Sequence, residues 1–331
     1  MEGVTDPVDQ ALLDDWQRGF PIVPRPFAVL AGAIGIPEAE VIERLRRQRA
    51  TGRITRVGAT CAPNIVSAST LAAVAAPENR IEEVAAIIGA QPGVNHNYLR
   101  EHDWNLWFVA TGPERAHVDA ALARIAALTG LRVLDLRLVR PFNVDLGFAL
   151  RAGARKPAEP PAQIDPAAFR PGDRPLLAAL MQGLPLDPRP YRELAAGLGL
   201  TESAVLERVA ALTGAGIVTR LGVIVRHRAL GWRSNAMVVW DMEPERITAA
   251  GPVLAAHPGV SLCYERVPVA GVWPYRLYTM IHARSRADAM ATLTELCALP
   301  MMRGVPHEPL FSVRCFKQTG AMVAAPEKET A

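Results

Sequence analysis

Residues 94–108, VNHNYLREHDWNLWF, concentrate side chains that can move protons and bind anions. His96 and His102 can exchange a proton near neutral pH, and Arg100 can pair with an anion through two parallel hydrogen bonds. Tyr98 and two tryptophans add aromatic surface. Because a buried strand is ordinarily built from Val and Ile, this composition exceeds what a hydrophobic core needs and indicates a functional site.

A second stretch, residues 260–282, follows the same plan with different chemistry. Each stretch starts with a Val after Pro-Gly, continues through Tyr-x-Arg and a loop, and ends in an aromatic strand. The side chains of interest in the second stretch are Tyr264, Arg266, Trp273, Tyr275, Arg276, Tyr278 and His282. Leu262 stands where the first stretch has His96, and Arg276 replaces Asn105. The two stretches are therefore not predicted to form equivalent sites.

Both stretches belong to a duplicated unit, because matches recur along the chain at a nearly constant offset. The matched segments are residues 52–56 with 216–220, 92–94 with 258–260, 105–107 with 276–278, and Phe142 and Val144 with Phe311 and Val313. The offset grows after the second pair, which predicts an insertion at residues 267–271. This matching places Arg314 and Lys317 at the positions that Asp145 and Phe148 hold in the first unit. The second unit thus gains two cations, which fit either anion binding or a solvated edge strand.

Each unit begins with a helix, a Gly turn, a second helix and a Gly-x-Ile/Val-Thr-Arg strand, a pattern typical of a winged helix-turn-helix. A strand, a helix, a hairpin, a helix and a final strand follow, which predicts a β-α-β-β-α-β unit. Residues 151–173 contain five prolines and no periodicity, so they are predicted to be a linker. The predicted α+β chain has winged helix-turn-helix domains at 10–60 and 174–225 and α/β sandwiches at 61–150 and 226–320.

The composition limits the possible classes of protein. Half of the 331 residues are apolar, enough for more than one core, and a net charge of +3 gives no strongly basic surface. The four cysteines are scattered without a C-x-x-C pair, which argues against a zinc knuckle and favours a reducing compartment. The polar, acidic first residues do not resemble a signal peptide, and no apolar run has membrane length, so the sequence predicts a cytoplasmic protein.

A winged helix followed by this α/β unit resembles the Lrp/AsnC regulators, whose second domains pair their sheets in a dimer and bind small ligands. The motifs HNYLREH-x-WNLWF and CYER…WPYRLYTMIH are similar to those of the siroheme decarboxylases, Lrp-like enzymes of heme d1 and alternative heme biosynthesis. Two such subunits fused by a linker resemble the NirDL type of that family. The resemblance covers nearly the whole chain outside the linker and tails.

This resemblance implies that two acetate carboxyl groups of siroheme are removed to give 12,18-didecarboxysiroheme, in the heme d1 biosynthesis that serves denitrification. It implies catalytic histidines at His96, His102, His227 and His282. The implied substrate-binding residues are Tyr98, Arg100, Asn105, Trp107, Arg226, Tyr264, Arg266, Tyr275, Tyr278, Arg314 and Lys317. Arginine suits the carboxylates that are kept, because its planar fork matches their geometry.

The resemblance also implies which other molecules take part. No cofactor is expected beyond the substrate, because siroheme carries its own iron. The expected partners are siroheme, its decarboxylated products, and a second copy of the chain or homologous decarboxylase subunits. No membrane partner is expected.

Each histidine has a structural interpretation as well as a functional one. His96 could ligate the siroheme iron, donate a proton, or serve only as a hydrogen-bonded structural residue. His102 could be a solvated loop side chain, and His282 could cap a sheet edge. His227 lies between two arginines, a run that fits a carboxylate clamp with an acid or a basic turn that touches nucleic acid.

The alternative function is a ligand-responsive transcription regulator, for example one that senses heme. A reader of palindromic DNA needs two equivalent recognition helices. The second helix of the first unit has a basic flank of Arg44, Arg46, Arg47 and Arg49, whereas its counterpart in the second unit offers only Arg208. DNA binding is therefore not expected. The unusual residues lie in the α/β units rather than on the recognition helices, which favours the enzyme.

Overall fold

The computed structural model describes residues 6–143 and 164–322. The helices are α1 (Pro7–Asp14), α2 (Pro26–Ile34), α3 (Glu38–Ala50), α4 (Ile81–Ala90), α5 (Arg115–Thr129), α6 (Arg174–Gln182), α7 (Pro190–Gly197), α8 (Glu202–Gly214), α9 (Pro244–Ala256) and α10 (Arg286–Ala298). The strands are β1 (Ile54–Cys61), β2 (Ala68–Val74), β3 (Val94–Arg100), β4 (Leu106–Gly112), β5 (Val133–Asn143), β6 (Val218–Val225), β7 (Ser234–Trp240), β8 (Val260–Arg266), β9 (Leu277–Ala283) and β10 (His307–Gln318). Short 3-10 helices lie at Glu78–Arg80, Pro166–Ala168, Pro171–Asp173, His227–Leu230 and Pro300–Met302.

These elements form two compact units, and each half of the sequence contributes to both. The described residues of the helical unit are 6–66 and 164–232, which hold α1–α3, β1, α6–α8 and β6. Those of the barrel unit are 67–143 and 233–322, which hold the remaining helices and strands. The tandem α+β architecture predicted from the sequence is confirmed. Of the predicted linker, residues 151–163 lie outside the described part of the chain, whereas 164–173 include two short helices.

In the helical unit, the two halves of the chain pair their strands and pack on one another. β1 pairs antiparallel with β6, and Gly58 faces Gly222 in the middle of the pair. α6 packs on β1 so closely that a Cβ at Gly58 would lie 2.5 Å from the Leu180 carbonyl oxygen. The turn after α1 approaches β6 in the same way, with the Gln17 carbonyl oxygen 2.2 Å from the Cβ that Gly222 lacks. Because each strand packs against a helical segment of the other half, neither half can form this packing alone.

In the described residues, eight strands of the barrel unit close into a barrel in the order β10-β3-β4-β2-β5-β8-β9-β7. The strands of the two halves meet at two seams, where β3 pairs with β10 and β5 pairs with β8. α4, α5, α9 and α10 pack on the outside over two apolar cores. A barrel of eight strands has an interior that side chains fill or that holds one small ligand.

Side chains alternate between the interior of the barrel and its helix-covered face. A third apolar cluster, separate from the two cores under the helices, fills much of the interior. Its buried members are Leu71, Ala73, Trp107, Leu134, Leu136, Met237, Val239, Tyr264, Trp273, Tyr278, Met280 and Leu310. Residues that alternate in step with this cluster therefore face the interior as well.

The register at the seams shows how the last strands of the two halves correspond. Leu138 pairs with Arg266 and Ser312 pairs with Arg100, so Ser312 corresponds to Leu138. The register shifts directly after both residues, as at a β-bulge. Such a bulge reverses the alternation, because one extra residue is inserted into the strand. Arg314 therefore faces the helix-covered side of the barrel.

The match of Phe142 with Phe311 made from the sequence is therefore wrong, since Phe142 corresponds to Phe316. A repeated contact supports this correction: Arg140 lies 5.0 Å from the centre of the Phe142 ring, and Arg314 lies 4.6 Å from that of Phe316. The cause of the error is the longer connection before β10, which contains the Pro300–Met302 helix. Arg314 thus corresponds to Arg140 and is not a cation gained by the second half. The earlier counterparts Val144, Asp145 and Phe148 lie outside the described residues.

Candidate active site inside the barrel unit

The interior face of β3 carries His96, Tyr98 and Arg100 at alternate positions, and we call these three residues the β3 stripe. Asn97 points the other way, and its amide donates to the Ala85 carbonyl oxygen of α4 at 3.0 Å. The rings of His96 and Tyr98 stack with 6.2 Å between centroids and 21° between planes. The Arg100 guanidinium lies 5.7 Å from the centre of the Tyr98 ring. Three predicted site residues are thus brought together on one strand.

β8 carries a matching stripe of Leu262, Tyr264 and Arg266, which we call the β8 stripe. Cys263 between them points to the helix-covered face, where its thiol donates to the Gly251 carbonyl oxygen at 3.5 Å. The Arg266 guanidinium lies 4.5 Å from the centre of the Tyr264 ring. Burial lowers the pKa of Arg266, which is half-buried at the end of β8. The β8 stripe thus repeats the tyrosine and arginine of β3 without a histidine.

The two stripe arginines fasten the seams between the halves. Arg100 Nη1 donates to the Leu310 carbonyl oxygen at 2.9 Å, and Arg266 Nη1 donates to that of Leu136 at 2.7 Å. Leu310 and Leu136 occupy corresponding places in β10 and β5, so the two contacts are related by the internal repeat. Each arginine therefore belongs to one half of the chain and is oriented by the other.

A chain of hydrogen bonds leads from Arg100 into the second half. Arg100 Nη1 donates to Asn235 Oδ1 at 3.0 Å, and Asn235 Nδ2 lies 2.6 Å from His282 Nε2. His282 Nδ1 lies 2.6 Å from Ser261 Oγ, which in turn donates to the Met280 carbonyl oxygen at 2.9 Å. We call this chain the Asn235–His282 relay. It connects two predicted site residues, Arg100 and His282, through Asn235 and continues from His282 to Ser261. The sequence analysis missed both Asn235 and Ser261.

Aromatic side chains fill the interior next to the β3–β4 and β8–β9 loops, and we call Trp107, Trp273, Tyr275 and Tyr278 the aromatic plug. Trp273 lies 5.2 Å from Trp107 and 4.8 Å from Tyr275 between ring centroids. Its indole N–H donates to the Tyr278 hydroxyl at 2.7 Å. Burial raises the pKa of Tyr278, so this hydroxyl stays protonated. The insertion predicted in this loop is thus followed by a tryptophan that packs into the barrel.

His102 joins the β3–β4 loop to the second half. Its Nδ1 accepts a hydrogen bond from the Trp104 backbone N–H at 2.9 Å, so in the neutral ring the proton sits on Nε2. Nε2 lies 2.8 Å from Glu308 Oε2, and the other oxygen of that carboxylate accepts from the Tyr275 hydroxyl at 2.7 Å. Burial and Glu308 raise the pKa of Tyr275. The geometry gives His102 a bracing role at the aromatic plug.

The side chains of three further predicted site residues point away from both stripes. The Asn105 amide exchanges hydrogen bonds with the backbone of Ala76, at 2.8 and 3.0 Å. Arg314 pairs with Glu82 of α4 at 2.5 Å. Lys317 donates to the Gly89 carbonyl oxygen of the same helix at 2.7 Å. These contacts fasten elements of the barrel unit to one another.

Comparison with known proteins decides the family. Residues 9–54 and 173–218 match the model of the siroheme decarboxylase NirDL-like HTH domain, and residues 66–142 and 229–317 match that of the AsnC-like ligand binding domain. The siroheme decarboxylase NirDL subunit of Paracoccus denitrificans (strain Pd 1222) is 54% identical over 320 residues, which cover 96% of this chain and 98% of that subunit. The chain belongs to the siroheme decarboxylase family. The resemblance inferred from the two motifs is confirmed.

Other siroheme decarboxylases share this architecture. Two crystal structures of the siroheme decarboxylase NirDL match with TM-scores of 0.69 and 0.68 at 26% and 25% identity, over 95% of this chain and 93% and 92% of theirs. The second is a co-complex with an iron-uroporphyrin III analogue. The siroheme decarboxylase NirD subunit of Stutzerimonas stutzeri is 48% identical over 145 residues, 44% of this chain and 95% of that subunit. The family therefore includes separate subunits as well as fused chains.

In this siroheme decarboxylase, Arg44, Arg47 and Arg208 of the helix-turn-helix elements form ion pairs within the chain. Arg44 lies 3.0 Å from Asp9 and 2.8 Å from Glu40, and hydrogen bonds to these carboxylates raise its pKa. Arg47 also reaches Asp9, at 3.2 Å. In the second half, Arg208 pairs with Asp173 at 2.5 Å. Charges balanced in this way support a scaffold role for these helices rather than DNA reading.

Arg226 and His227, predicted as a site of the second half, belong to the helical unit. Arg226 is exposed directly after β6, and its backbone N–H donates to the Arg53 carbonyl oxygen at 2.7 Å. His227 begins the short helix His227–Leu230, and its side chain lies outside what the structure describes. The role predicted for His227 therefore stays a prediction.

Within residues 6–143 and 164–322, no three His, Cys, Asp or Glu side chains come together as a metal-binding group. None of the helices in these ranges combines the length and apolar character that crossing a membrane requires. The residues that the sequence analysis missed were Asn235, Ser261 and Glu308. A signal existed for Asn235, because an amide in the otherwise apolar strand SNAMVVW must find hydrogen-bond partners once buried.

Proposed function

We propose that this chain decarboxylates siroheme, removing two acetate carboxyl groups to give 12,18-didecarboxysiroheme in heme d1 biosynthesis. The observation that carries the proposal is the pair of interior stripes, in which a tyrosine and an arginine on β3 recur on β8 and His96 is added on β3. Tyrosine rings offer flat surfaces to a macrocycle, and buried guanidinium groups attract its carboxylates. The family membership of the chain supports the same reaction.

The reaction requires a place for electrons and a source of a proton. When the bond between the methylene carbon and the carboxylate breaks, carbon dioxide departs and the electron pair moves into the conjugated macrocycle. The methylene carbon then gains a proton and becomes a methyl group. The substrate provides the electron sink, and the protein provides the acid and holds the charges in position.

The β3 stripe provides the groups for this chemistry. We assign Arg100 and Arg266 to the carboxylates that are retained and Tyr98 and Tyr264 to the macrocycle surface. His96 either donates the proton or ligates the siroheme iron. A change in the absorption spectrum of bound siroheme when His96 is replaced by Ala identifies iron ligation. An unchanged spectrum together with slower proton transfer to the methylene carbon identifies proton donation.

The decisive experiment is an anaerobic incubation of the purified chain with siroheme, followed by the mass of the tetrapyrrole. Loss of two molecules of carbon dioxide per siroheme supports the proposal. An unchanged tetrapyrrole together with specific operator binding would instead support the regulator alternative. The incubation contains no added metal or nucleotide, because we propose that the chain needs no cofactor beyond its iron-bearing substrate.

We further propose that the chain works as an assembly, either with a second copy of itself or with homologous subunits. The existence of a relative named as a NirD subunit supports association within this family. Light scattering of the purified chain, alone and with siroheme, measures its oligomeric state. A strictly monomeric chain with full activity would contradict this part of the proposal.

A further inference from the structure

The direction of each hydrogen bond in the Asn235–His282 relay can be deduced from chemistry. Arginine can only donate, so Arg100 fixes Asn235 Oδ1 as the acceptor and turns Asn235 Nδ2 toward His282. An amide nitrogen can only donate, so His282 Nε2 must accept across the 2.6 Å contact and carries no proton. The Ser261 hydroxyl gives its proton to the Met280 carbonyl oxygen, so its oxygen accepts from His282 Nδ1–H.

These directions specify one tautomer of His282, with the proton on Nδ1 and the lone pair on Nε2. The arrangement is buried: Asn235 is 8% and His282 7% exposed, and Arg100 is 6% exposed. Flipping the Asn235 amide would place its NH2 group against the Arg100 guanidinium, two donors without an acceptor. The tautomer of a histidine from the second half is therefore set by an arginine from the first half, acting through Asn235.

The first half has no such device at its corresponding positions. Asn235 and His282 are direct cross-strand partners, and the equivalent partners in the first half are Ser69 and Thr111. The Thr111 hydroxyl donates to the Gly93 carbonyl oxygen at 3.0 Å and accepts from the Met322 backbone N–H at 2.8 Å. The relay is thus a feature of one half only.

We propose that Asn235 is a positioning residue of the reaction, which holds His282 in the Nδ1–H tautomer and fixes the Arg100 guanidinium beside Tyr98 in the β3 stripe. This inference rests on the proposed siroheme decarboxylase function. The physical advantage is preorganisation: a group fixed before the substrate arrives need not be ordered during the reaction. Asn235 acts through Arg100 and His282 and does not itself react.

The first test measures the tautomer and does not depend on activity. Nitrogen-15 spectra of histidine-labelled protein at pH 7 distinguish protonated from unprotonated ring nitrogens, and comparison with His282→Gln assigns the His282 signals. We expect Nδ1–H in the unaltered chain and a mixture of tautomers in Asn235→Ala. In Asn235→Asp we expect both ring nitrogens of His282 to be protonated, because the Asp carboxylate accepts from Nε2–H while Ser261 Oγ still accepts from Nδ1–H. An Nε2–H ring in the unaltered chain, or an unchanged ring in Asn235→Ala, overturns the proposal.

The second test separates binding from turnover of siroheme. Asn235→Asp still offers Arg100 an acceptor but reverses the role of His282 Nε2, so we expect KM within about twofold and kcat lowered about tenfold or more. Asn235→Ala should alter both constants. Ser69→Ala, the matched position in the first half, serves as the control and should match the unaltered chain. Unchanged kcat in both Asn235 variants overturns the positioning role.

The two tests also separate this inference from the proposed function. If the unaltered chain does not decarboxylate siroheme, the proposed function fails and the catalytic meaning of the relay fails with it, while the nitrogen-15 spectra still decide the tautomer. If Asn235→Ala does not fold, as judged by its circular dichroism and melting temperature, Asn235→Asp and Ser261→Ala remain. Ser261→Ala removes the acceptor for Nδ1–H but leaves the Asn235 contact to Nε2 in place, so the Nδ1–H tautomer should persist. A tautomer mixture in Ser261→Ala would contradict the role of Asn235 in setting the tautomer.

Discussion

The two halves of the barrel share a tyrosine and an arginine on one interior stripe each, but they differ in the histidine that accompanies these residues. The first half places His96 on the stripe itself, next to Tyr98. The second half has Leu262 there and places His282 on the neighbouring strand, inside a hydrogen-bonded relay. The shared arginines fasten the seams. The histidines, which differ in position between the halves, are groups that can exchange protons. The two copies of the duplicated unit thus share a framework but differ in the position of their histidine.

The largest effect on activity should come from separating the two halves of the chain. Residues 1–160 and 161–331 expressed singly should show no siroheme turnover, because the barrel seams and the β1–β6 strand pair each need both halves. Mixed or co-expressed fragments should regain activity. Turnover is followed by product mass under anaerobic conditions. Activity in one fragment alone would show that the site is not shared.

Replacing His96 by Ala should have the next largest effect, a loss of about 100-fold or more in kcat, the scale of general acid–base catalysis. The fold should survive, because a half-buried imidazole on a strand contributes little apolar packing. His117→Ala, an exposed position on α5, is the matched control. Turnover at the parent rate in His96→Ala would remove this residue from the mechanism.

Replacing Arg100 or Arg266 tests whether the arginine common to both stripes binds the carboxylates of siroheme. Arg100→Leu and Arg266→Leu should each weaken siroheme binding by about 1.5–3 kcal/mol, or roughly 10- to 150-fold in Kd. Arg100→Leu should be the more damaging, because it also removes the group that orients Asn235. Titration of the protein with siroheme under anaerobic conditions gives both values. Equal, unaltered affinities would exclude the arginines from carboxylate binding.

A smaller effect is expected from the brace at the aromatic plug. His102→Ala removes the contacts with the Trp104 backbone and Glu308, so the free energy of unfolding should fall by about 1 kcal/mol while turnover changes only a few-fold. Denaturant unfolding and steady-state rates measure the two quantities. A loss of turnover as large as that of His96→Ala, with unchanged stability, would instead support His102 as a reacting group.

The smallest effect should come from Arg314→Ala. Its pair with Glu82 has side chains 55% and 71% exposed, and such surface pairs contribute about 0–1 kcal/mol. Turnover and siroheme affinity should stay close to those of the parent. The same assays decide the outcome, and a tenfold loss of affinity would show that the helix-covered face of β10 also takes part in binding.

Much of the architecture could be predicted from the sequence, because the repeats and the periodicity of apolar residues are local signals. The two stripes could be predicted as well, since His96, Tyr98 and Arg100 alternate along one strand. The partners of His282 could not, because Asn235 and Ser261 reach it from two other strands and only the register brings them together. The β-bulge in β10 likewise has no clear sequence pattern, yet it decides which way Arg314 points.

The closure of the barrel also bears on how the chain is made. β3 ends at Arg100 and its seam partner β10 begins at His307, so the ribosome must add about two hundred residues before this seam can form. At roughly 5–20 residues per second this takes roughly 10–40 s. During that time the nascent first half exposes an unpaired edge of β3, a surface on which strands of other chains can add. The order of translation thus leaves the sheet of the first half incomplete until β10 has been made.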